Sequence, residues 1–380
     1  MKALFALTGF LAIISTASAQ GPVVGAKSAV IIDADTGQVL FERNSRATRF
    51  PASTTKIMTA LLLIENRKPG YMLTAPADTQ KVPESALGLK PGEQITREDA
   101  LYALLLKSAN DVAHAVAVDI GGSDEKFGEI MNRRAAAIGC VNTHFHNPHG
   151  LNDEQHTTCA YDLALIAREA LQNPDFIRIT KTRTWAVMRG FGMPDTLVTT
   201  TNHLLDNMPG VEGVKTGYTR PAGHCFVGAR TLDGWRVISV VMNSPDWVGE
   251  SEALLRWPFA NLQRIEPTAK GSFVGNAPVK GGASTTTPGV IADNFAIIVR
   301  RGENADSPRI DWSEPSAPVQ KGDVVGYMRA TAFDGTQMQV PILAGEDVPL
   351  AAKWPLFVGI GAVGGVFLRQ RIRPRDRAGR

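Results

Sequence analysis

The chain has 380 residues, which is enough for two domains with substantial hydrophobic cores. Hydrophobic residues make up 44% of it and charged residues 20%, which is ordinary for a globular protein. The formal net charge at pH 7 is only +3, so bulk charge gives no reason to expect a nucleic-acid partner.

Three cysteines, Cys140, Cys159 and Cys225, stand in no metal-ligand spacing, and their odd number excludes a complete disulfide framework. Cys140 and Cys159 are able to pair, but we favour separate buried or free thiols. The sequence gives no reason to expect a cofactor.

Residues 1–19 are typical of a secretory signal peptide. Met1-Lys2 is a short basic region, Ala3 to Ile14 is apolar, and the small-x-small site Ala17-Ser18-Ala19 precedes Gln20. A buried N-terminal helix is the alternative. We therefore expect the mature chain to act outside the cytoplasm. Together with the C-terminal anchor predicted for residues 347–380, this places it at the periplasmic face of the inner membrane.

The next segments predict a strand pair followed by helices. "SAVIIDADTGQVLFERN" reads as a hairpin around Asp35-Thr36-Gly37, and an apolar helix begins after Pro51. "TREDALYALLLKSANDVAHAVAVDIGG" opens with Thr96 three residues before Asp99, a capping-box pattern, and breaks around Ser108-Ala109-Asn110.

Three more helices and a second hairpin complete this part of the chain. One helix is capped by Ser123 and Gly139, and another ends before Pro174. A hairpin around Asp233-Gly234 is followed by the last helix, "GESEALLRWPFANL". Strands, many helices and strands again predict an α+β fold, with helices on an antiparallel sheet whose first and last strands are able to be neighbours.

Composition shifts near Glu266. Residues 267–345 are rich in Gly, Pro, Thr and Val, and runs such as "NFAIIVR" alternate without a helical period. We therefore predict one domain over residues 20–265 and a small all-β domain over residues 266–346.

Residues 347–380 are interpreted as a membrane anchor with a basic cytoplasmic tail. Trp354 to Leu368 carries no charge, and six arginines follow it. A helix of that length spans about 22 Å against a hydrocarbon core of about 30 Å, and extension to Leu350 with snorkelling of Lys353 and Arg369 closes much of the gap. The competing interpretation is a helix that lies in the membrane interface. Such a helix has a charged face along its length, and this segment lacks one.

"RFPASTTKIMTALLLIEN" places Ser53 and Lys56 one helical turn apart. A serine hydroxyl becomes a good nucleophile only when a base takes its proton, and a lysine is a base only when burial or a second cation lowers its pKa. Taken alone the pair is weak evidence, because serine at a helix start is usually a cap.

Two further segments strengthen the catalytic interpretation. "LLLKSANDVA" places Ser108 and Asn110 at a helix break, where a hydroxyl can relay a proton and an amide can orient a carbonyl. "GVEGVKTGYTRPAGHCF" places Lys215, a possible second cation, with Thr216 and Gly217 before the last hairpin. S-x-x-K, S-D-N and K-T-G in this order are the signature of penicillin-binding proteins and class A β-lactamases. This chain has S-T-T-K, S-A-N and K-T-G in that order, and its S-A-N in place of S-D-N counts against a β-lactamase.

Over roughly residues 26–345 the chain resembles the low-molecular-mass penicillin-binding proteins that act as D-alanyl-D-alanine carboxypeptidases. The resemblance rests on "DADTGQVLFERN", "PASTTKIMTALL", "LLLKSANDVA", "NTHFHNPHGLNDEQHTT", "DLALIAREAL", "GVKTGYTRPAGHCFVGARTLDG" and "SEALLRW". It implies a β-lactamase-like peptidase domain, a β-rich domain and a C-terminal anchor. The implied partners are peptidoglycan stem peptides ending in D-Ala-D-Ala, and β-lactams as covalent inhibitors.

The resemblance also implies roles for individual residues. Ser53 is the acylated nucleophile and Lys56 its base, with Ser108 and Asn110 as the second catalytic motif. The substrate-binding group is the stretch Lys215, Thr216, Gly217, Tyr218 and Thr219. The backbone N–H groups of Ser53 and Tyr218 form the oxyanion hole.

The chain departs from the family pattern at two places. Tyr218 stands where many members have His, and "LVTTTNHLL" contains His203 but no Arg for the substrate carboxylate. Asn147 and His149 are interpreted as supports of the cleft loop. No ligand spacing supports a metal site at the histidines nearby.

Three alternatives are weighed. A β-lactamase needs a Glu that positions water, and Glu169 with Asn173 matches that pattern only formally, at the end of a helix. A transpeptidase or endopeptidase uses the same three motifs. A non-catalytic peptidoglycan-binding module is disfavoured, because Ser53 and Lys56 are both present.

Overall fold

The structure is a computed structural model that describes residues 21–190, 192–304 and 307–352. The predicted signal peptide and residues 353–380 of the predicted anchor lie outside the described residues. Within the described ranges, no helix has the length and apolar character needed to cross a membrane.

The strands, in chain order, are β1 (Ser28–Asp33), β2 (Val39–Arg43), β3 (Met72–Thr74), β4 (Gln94–Thr96), β5 (Thr184–Val187), β6 (Thr196–Thr199), β7 (Val211–Thr219), β8 (Gly223–Leu232), β9 (Trp235–Ser244), β10 (Leu262–Thr268), β11 (Phe273–Pro278), β12 (Thr286–Ile291), β13 (Phe295–Arg300), β14 (Arg309–Trp312), β15 (Val324–Thr331) and β16 (Gln337–Ala344). The helices are α1 (Lys56–Asn66), α2 (Arg97–Tyr102), α3 (Asn110–Gly121), α4 (Asp124–Ile138), α5 (Ala160–Ala170), α6 (Pro174–Thr180), α7 (Leu204–Asn207) and α8 (Trp247–Asn261). Short 3₁₀ turns span Ala52–Thr55 and Thr79–Lys81, and a π-helical segment spans Ala103–Lys107.

The main sheet is antiparallel, with strand order β2-β1-β9-β8-β7. The first and last strands of the α+β region, β1 and β9, are therefore neighbours. Alternate residues of β1 serve two cores: Val30 and Ile32 pack with the helices, whereas Ala29 and Ile31 pack on the α8 side. The two-residue period of a strand explains why β1 is apolar along most of its length and buried on both faces.

The helix boundaries follow the predicted local signals. Thr96 Oγ1 accepts a hydrogen bond from Asp99 N at 3.0 Å and caps α2, while Ser123 caps α4, which ends at Gly139 in the left-handed conformation. Pro174 is the first residue of α6, consistent with the predicted end of the preceding helix. The helical run from Thr96 breaks at the expected place: the π-helical segment ends at Lys107, and the next residue, Ser108, has a φ of 66°.

After α8, the described residues form strands and loops. β11-β12-β16-β15-β14 form a five-stranded sheet, and β10 pairs with β13. Ile297, Ile342 and neighbouring apolar side chains form a separate core, in agreement with the predicted β-rich domain. β10 runs directly from α8 and crosses residues 265 and 266, where composition places the domain boundary.

The three cysteines are buried and free, as favoured from the sequence. Glu169 binds Arg134 at 2.6 Å, together with Glu65 on the same guanidinium. Asn173 caps α6 through its side-chain oxygen. Both residues of the formal lactamase pattern therefore have structural partners.

A buried ion pair connects the β5–β6 hairpin to the segment after β3. Arg189 Nε lies 2.6 Å from Glu93 Oε1, with both side chains almost fully buried. The same guanidinium donates to the carbonyl oxygens of Leu87 and Gly88.

We predict that Arg189→Met lowers the free energy of unfolding by about 3–5 kcal/mol, because it leaves the Glu93 carboxylate buried without its cation. The matched control is Arg256→Met, which breaks the exposed pair with Glu252 and should cost less than about 1 kcal/mol. Urea denaturation followed by tryptophan fluorescence measures both. Equal losses in the two variants would contradict this interpretation.

Candidate active site

Ser53 lies in a tight turn that the protein fixes from several sides. The preceding Ala52 has a positive φ of 49°, and the hydroxyl of Thr55 donates to its carbonyl oxygen at 2.8 Å. A Cβ on Gly150 would lie only 1.8 Å from the same oxygen, and Gly150 itself has φ 85°. Only glycine fits there, and the turn is held in a conformation that a residue with a side chain rarely adopts.

Ser53 is not the N-cap of a helix: Pro51 takes that position before the 3₁₀ turn and Thr55 before α1. Its Oγ lies 3.2 Å from Lys56 Nζ, which also contacts Asn110 Oδ1 at 2.6 Å and the carbonyl oxygen of His149 at 2.7 Å. A neutral amine has two N–H bonds and one lone pair. If the N–H groups serve the two carbonyl-type oxygens, the lone pair is left to accept the Ser53 proton.

The environment of Lys56 favours its neutral form. Lys56 is completely buried, and burial together with the nearby Lys215 lowers its pKa well below the usual lysine value, against an opposing effect of Asp111. Burial also lowers the pKa of Lys215 to about 7. Lys215 Nζ donates to the carbonyl oxygen of Thr216 at 2.9 Å.

The second motif forms the opposite wall. Ser108 is buried, and its hydroxyl has no hydrogen-bond partner among the residues that the structure describes. Asn110 accepts from Lys56 and donates its side-chain N–H to the carbonyl oxygen of Pro83 at 3.1 Å. An unpaired buried hydroxyl is unusual and marks a site where a substrate can supply the partner.

Gly217 fits the edge strand β7 against the turn that carries Ser53. A Cβ at position 217 would lie 3.0 Å from Ser53 N and 3.1 Å from both Pro51 O and Thr54 N. Such contacts are tighter than ordinary packing, so any side chain would push β7 away from Ser53. The glycine of K-T-G therefore sets the distance between Ser53 and β7.

An open cleft of about 440 Å³ brings the motifs together. Its lining includes Ser53, Ser108, Thr216, Gly217 and Tyr218. Lys56, Asn110 and Lys215 are buried beside it. Thr219 accepts a hydrogen bond from Ala222 N at the turn after β7 and is not among the described lining residues.

The cleft also contains residues that no motif singled out. Thr201, His203 and Trp247 lie on the β7 side, and Thr201 Oγ1 is 2.5 Å from Thr216 Oγ1. The ring of His224 packs 4.6 Å from the ring of Tyr218. Glu84, Ser85 and Lys107 lie on the rim.

The loop that begins at residue 144 supports the turn that carries Ser53. Asn147 Oδ1 accepts from Gly150 N at 2.7 Å, and the His149 carbonyl oxygen binds Lys56. Burial lowers the pKa of both His149 and His156 to about 3. His156 therefore stays neutral: its Nδ1 accepts from the N–H of His146, and its Nε2 contacts Thr55 Oγ1 at 2.8 Å.

A serine beside a buried lysine, on helices packed against an antiparallel sheet, is the arrangement of the serine peptidases of the penicillin-binding type. The family model described as D-alanyl-D-alanine carboxypeptidase matches residues 15–246. The model described as penicillin-binding protein 5, C-terminal domain, matches residues 263–350. The chain therefore belongs to the D-alanyl-D-alanine carboxypeptidase family of serine peptidases.

Individual relatives agree along most of the chain. D-alanyl-D-alanine carboxypeptidase DacF of Bacillus subtilis is 32% identical over 337 residues, covering 86% of each chain. DacA of Escherichia coli is 31% identical over 346 residues, covering 86% of this chain and 85% of the relative. The crystal structure of penicillin-binding protein 5 from Haemophilus influenzae superimposes with a TM-score of 0.77 at 27% identity, covering 87% of this chain and 99% of that one.

We predict that Lys215→Gln moves the rising limb of the acylation rate to higher pH. Protonated Lys215 lowers the pKa of Lys56, so a neutral side chain removes that effect and leaves more Lys56 protonated at a given pH. On the limb, the rate falls about tenfold for each pH unit of displacement. Rates of benzylpenicillin acylation between pH 5 and 9 measure it.

The control for this profile is Lys181→Gln, which removes an exposed lysine whose Nζ lies 3.9 Å from Glu212. Its pH profile should match that of the unmodified protein. If the rising limb of the Lys215→Gln profile lies at the same pH as in the unmodified protein, Lys215 does not lower the pKa of Lys56.

Proposed function

We propose that the chain removes the terminal D-Ala from peptidoglycan stem peptides through an acyl-enzyme on Ser53. The observation that carries this proposal is the contact between Ser53 Oγ and Lys56 Nζ at 3.2 Å, where Lys56 is buried and biased toward its neutral form. Lys56 takes the Ser53 proton, and Ser53 Oγ attacks the carbonyl carbon between the two D-Ala residues.

The tetrahedral intermediate places negative charge on the former carbonyl oxygen. The backbone N–H groups of Ser53 and Tyr218 are assigned to bind this oxygen. The departing D-Ala nitrogen needs a proton, and the unpaired hydroxyl of Ser108 is assigned to pass one on from Lys56. The C–N bond then breaks, which leaves an ester on Ser53 and free D-Ala.

Water completes the cycle. Lys56, again neutral, takes a proton from water as the water oxygen attacks the ester, and Ser53 recovers its proton when the acyl group leaves. A β-lactam presents its strained amide to the same serine. Its acyl-enzyme is proposed to hydrolyse slowly, which makes β-lactams covalent inhibitors.

The terminal carboxylate of the substrate is assigned to the β7 side of the cleft. Thr216 and Thr201 place two hydroxyl groups there, and His203 adds an imidazole at the same wall. These donors supply hydrogen bonds where some family members use an arginine. Buried Lys215 contributes positive potential behind them.

A transpeptidase would use the same motifs with an amine in place of water. A lactamase is disfavoured because Glu169 binds Arg134 rather than facing the cleft. The proposal also includes export by the signal peptide, attachment at the extracytoplasmic face of the membrane through residues 347–380, and a division into domains 20–265 and 266–346. The β-rich domain would lift the cleft from the membrane.

We predict that the purified full-length protein releases D-Ala from a stem pentapeptide and that Ser53→Ala abolishes the release. The control is Ser284→Ala, which changes an exposed serine in the β-rich region and should retain full activity. D-Ala is measured by a coupled amino-acid oxidase assay. Release that survives in Ser53→Ala would exclude Ser53 as the nucleophile.

We predict that His203→Ala raises KM about tenfold for peptides ending in a carboxylate, the loss of roughly one charge-assisted hydrogen bond. The same variant should treat a peptide ending in D-Ala amide as the unmodified protein does. Steady-state kinetics on the two peptides measure the difference. An equal change on both peptides would argue against a carboxylate-binding role for His203.

A further inference from the structure

Two opposite charges on the cleft rim have no role in the steps above. Glu84 and Lys107 both line the cleft and are exposed. Neither makes an ion pair with the other or with any residue in the described ranges. A ligand in the cleft therefore meets one negative and one positive group, which lie farther apart than an ion-pair distance.

The segment that carries Glu84 is hydrogen-bonded to the second motif and to the residue after it. Asn110 N donates to the carbonyl oxygen of Ser85 at 2.8 Å, and the Asn110 side chain donates to Pro83 O at 3.1 Å. The carboxylate of Asp111 accepts from the backbone N–H groups of residues 87–89 at 2.8 to 3.0 Å. The rim segment, residues 83–89, is thus anchored by Asn110, which also contacts Lys56, and by the neighbouring Asp111.

The backbone on both sides of the rim is strained. Glu84 and Ser85 have φ of 58° and 27°, and Ser108, directly after Lys107, has φ of 66°. Residues with side chains persist in this region only when their surroundings fix them, and such positions cluster at functional sites. A freely solvated charge would not require such a backbone.

The direction of the substrate in the cleft places a particular side chain at this rim. This step rests on the proposed function. With the scissile carbonyl at Ser53 and the leaving D-Ala carboxylate at Thr216, the acyl part of the substrate extends toward Asn110. The residue before the acylated D-Ala is only about 3.4 Å further along an extended chain. Its side chain is therefore within reach of the rim.

We propose that Glu84 and Lys107 together bind a zwitterionic side chain at the residue preceding D-Ala-D-Ala, one that ends in both an ammonium and a carboxylate. Glu84 receives the ammonium and Lys107 the carboxylate. A side chain ending in an ammonium alone would gain the contact with Glu84 but be repelled by Lys107. Because both groups are exposed, the preference is modest, about threefold to tenfold in kcat/KM.

The test uses three acetylated peptides, Xaa-D-Ala-D-Ala, with the full-length protein. Xaa is meso-diaminopimelic acid, whose side chain is zwitterionic, lysine, whose side chain is an ammonium, or norleucine, which is uncharged. We expect kcat/KM for D-Ala release to be highest for the diaminopimelyl peptide. High salt should reduce its advantage over the lysyl peptide, because salt screens exposed charges.

Two variants separate the contributions of the rim charges. Glu84→Gln should remove the advantage of the diaminopimelyl peptide over the norleucyl peptide. Lys107→Gln, which does not alter the strained segment 83–89, should raise the lysyl peptide relative to the diaminopimelyl peptide. Glu154→Gln and Lys126→Gln remove exposed charges outside the cleft and should leave all ratios unchanged.

Equal kcat/KM values for the three peptides, or ratios that survive in both rim variants, would overturn this proposal and leave the carboxypeptidase function intact. Failure to release D-Ala from any of the three, together with no acylation by benzylpenicillin, would instead contradict the proposed function. The two failures are therefore distinguishable.

Discussion

The structure depends on removing two lysine side chains from water. Lys56 and Lys215 are both buried, and burial disfavours their charged forms. Their pKa values fall on folding, so the unfolded chain binds more protons than the folded chain between the folded values and about 10.4. These groups therefore destabilise the folded protein near neutral pH, and that cost diminishes as pH rises toward the unfolded value. A lysine that is neutral near pH 7, and so able to accept a proton, requires this cost.

The sheet and the helices place the two lysines from opposite sides. Lys215 and Gly217 are two residues apart on β7, so they face the same side of the strand. Lys215 acts on Lys56 through its charge, and Gly217 lets β7 lie close to the Ser53 turn. Asn110, at the start of α3, binds the Lys56 amine and the rim segment 83–89. One asparagine thus links the amine of Lys56 to the rim of the cleft.

Much of this arrangement could be predicted from the sequence, because it depends either on residues close together in the chain or on motifs that occur in a fixed order. The hairpins, the cap at Thr96, the end of α4 at Gly139 and the break at Ser108 depend on nearby residues. The three motifs carry their chemistry in residue type and spacing, so Ser53 and Lys56 could be proposed as a pair. The two hairpins, and the order of strands and helices along the chain, also indicated that β1 and β9 could be neighbours.

Other features depend on contacts between segments that are far apart in the chain, and no local sequence pattern predicts such contacts. The contact of Gly150 with Ala52 joins residues far apart in the chain, as does the ion pair of Arg189 with Glu93. Thr201 meets Thr216 because the segment before α7 passes beside β7. The close packing of Gly217 against the Ser53 turn also joins residues far apart in the chain and had no local signal.

The most direct test of the central claim is a titration of Lys56 itself. Carbon-13 labelling of the lysine side chains and NMR spectra across a pH series, with Lys56→Gln to assign the signal, measure its pKa in the intact protein. The account predicts a signal that titrates well below a solvated lysine and moves to higher pH in Lys215→Gln. A Lys56 that titrates with the surface lysines would contradict it, because a charged amine cannot accept the Ser53 proton.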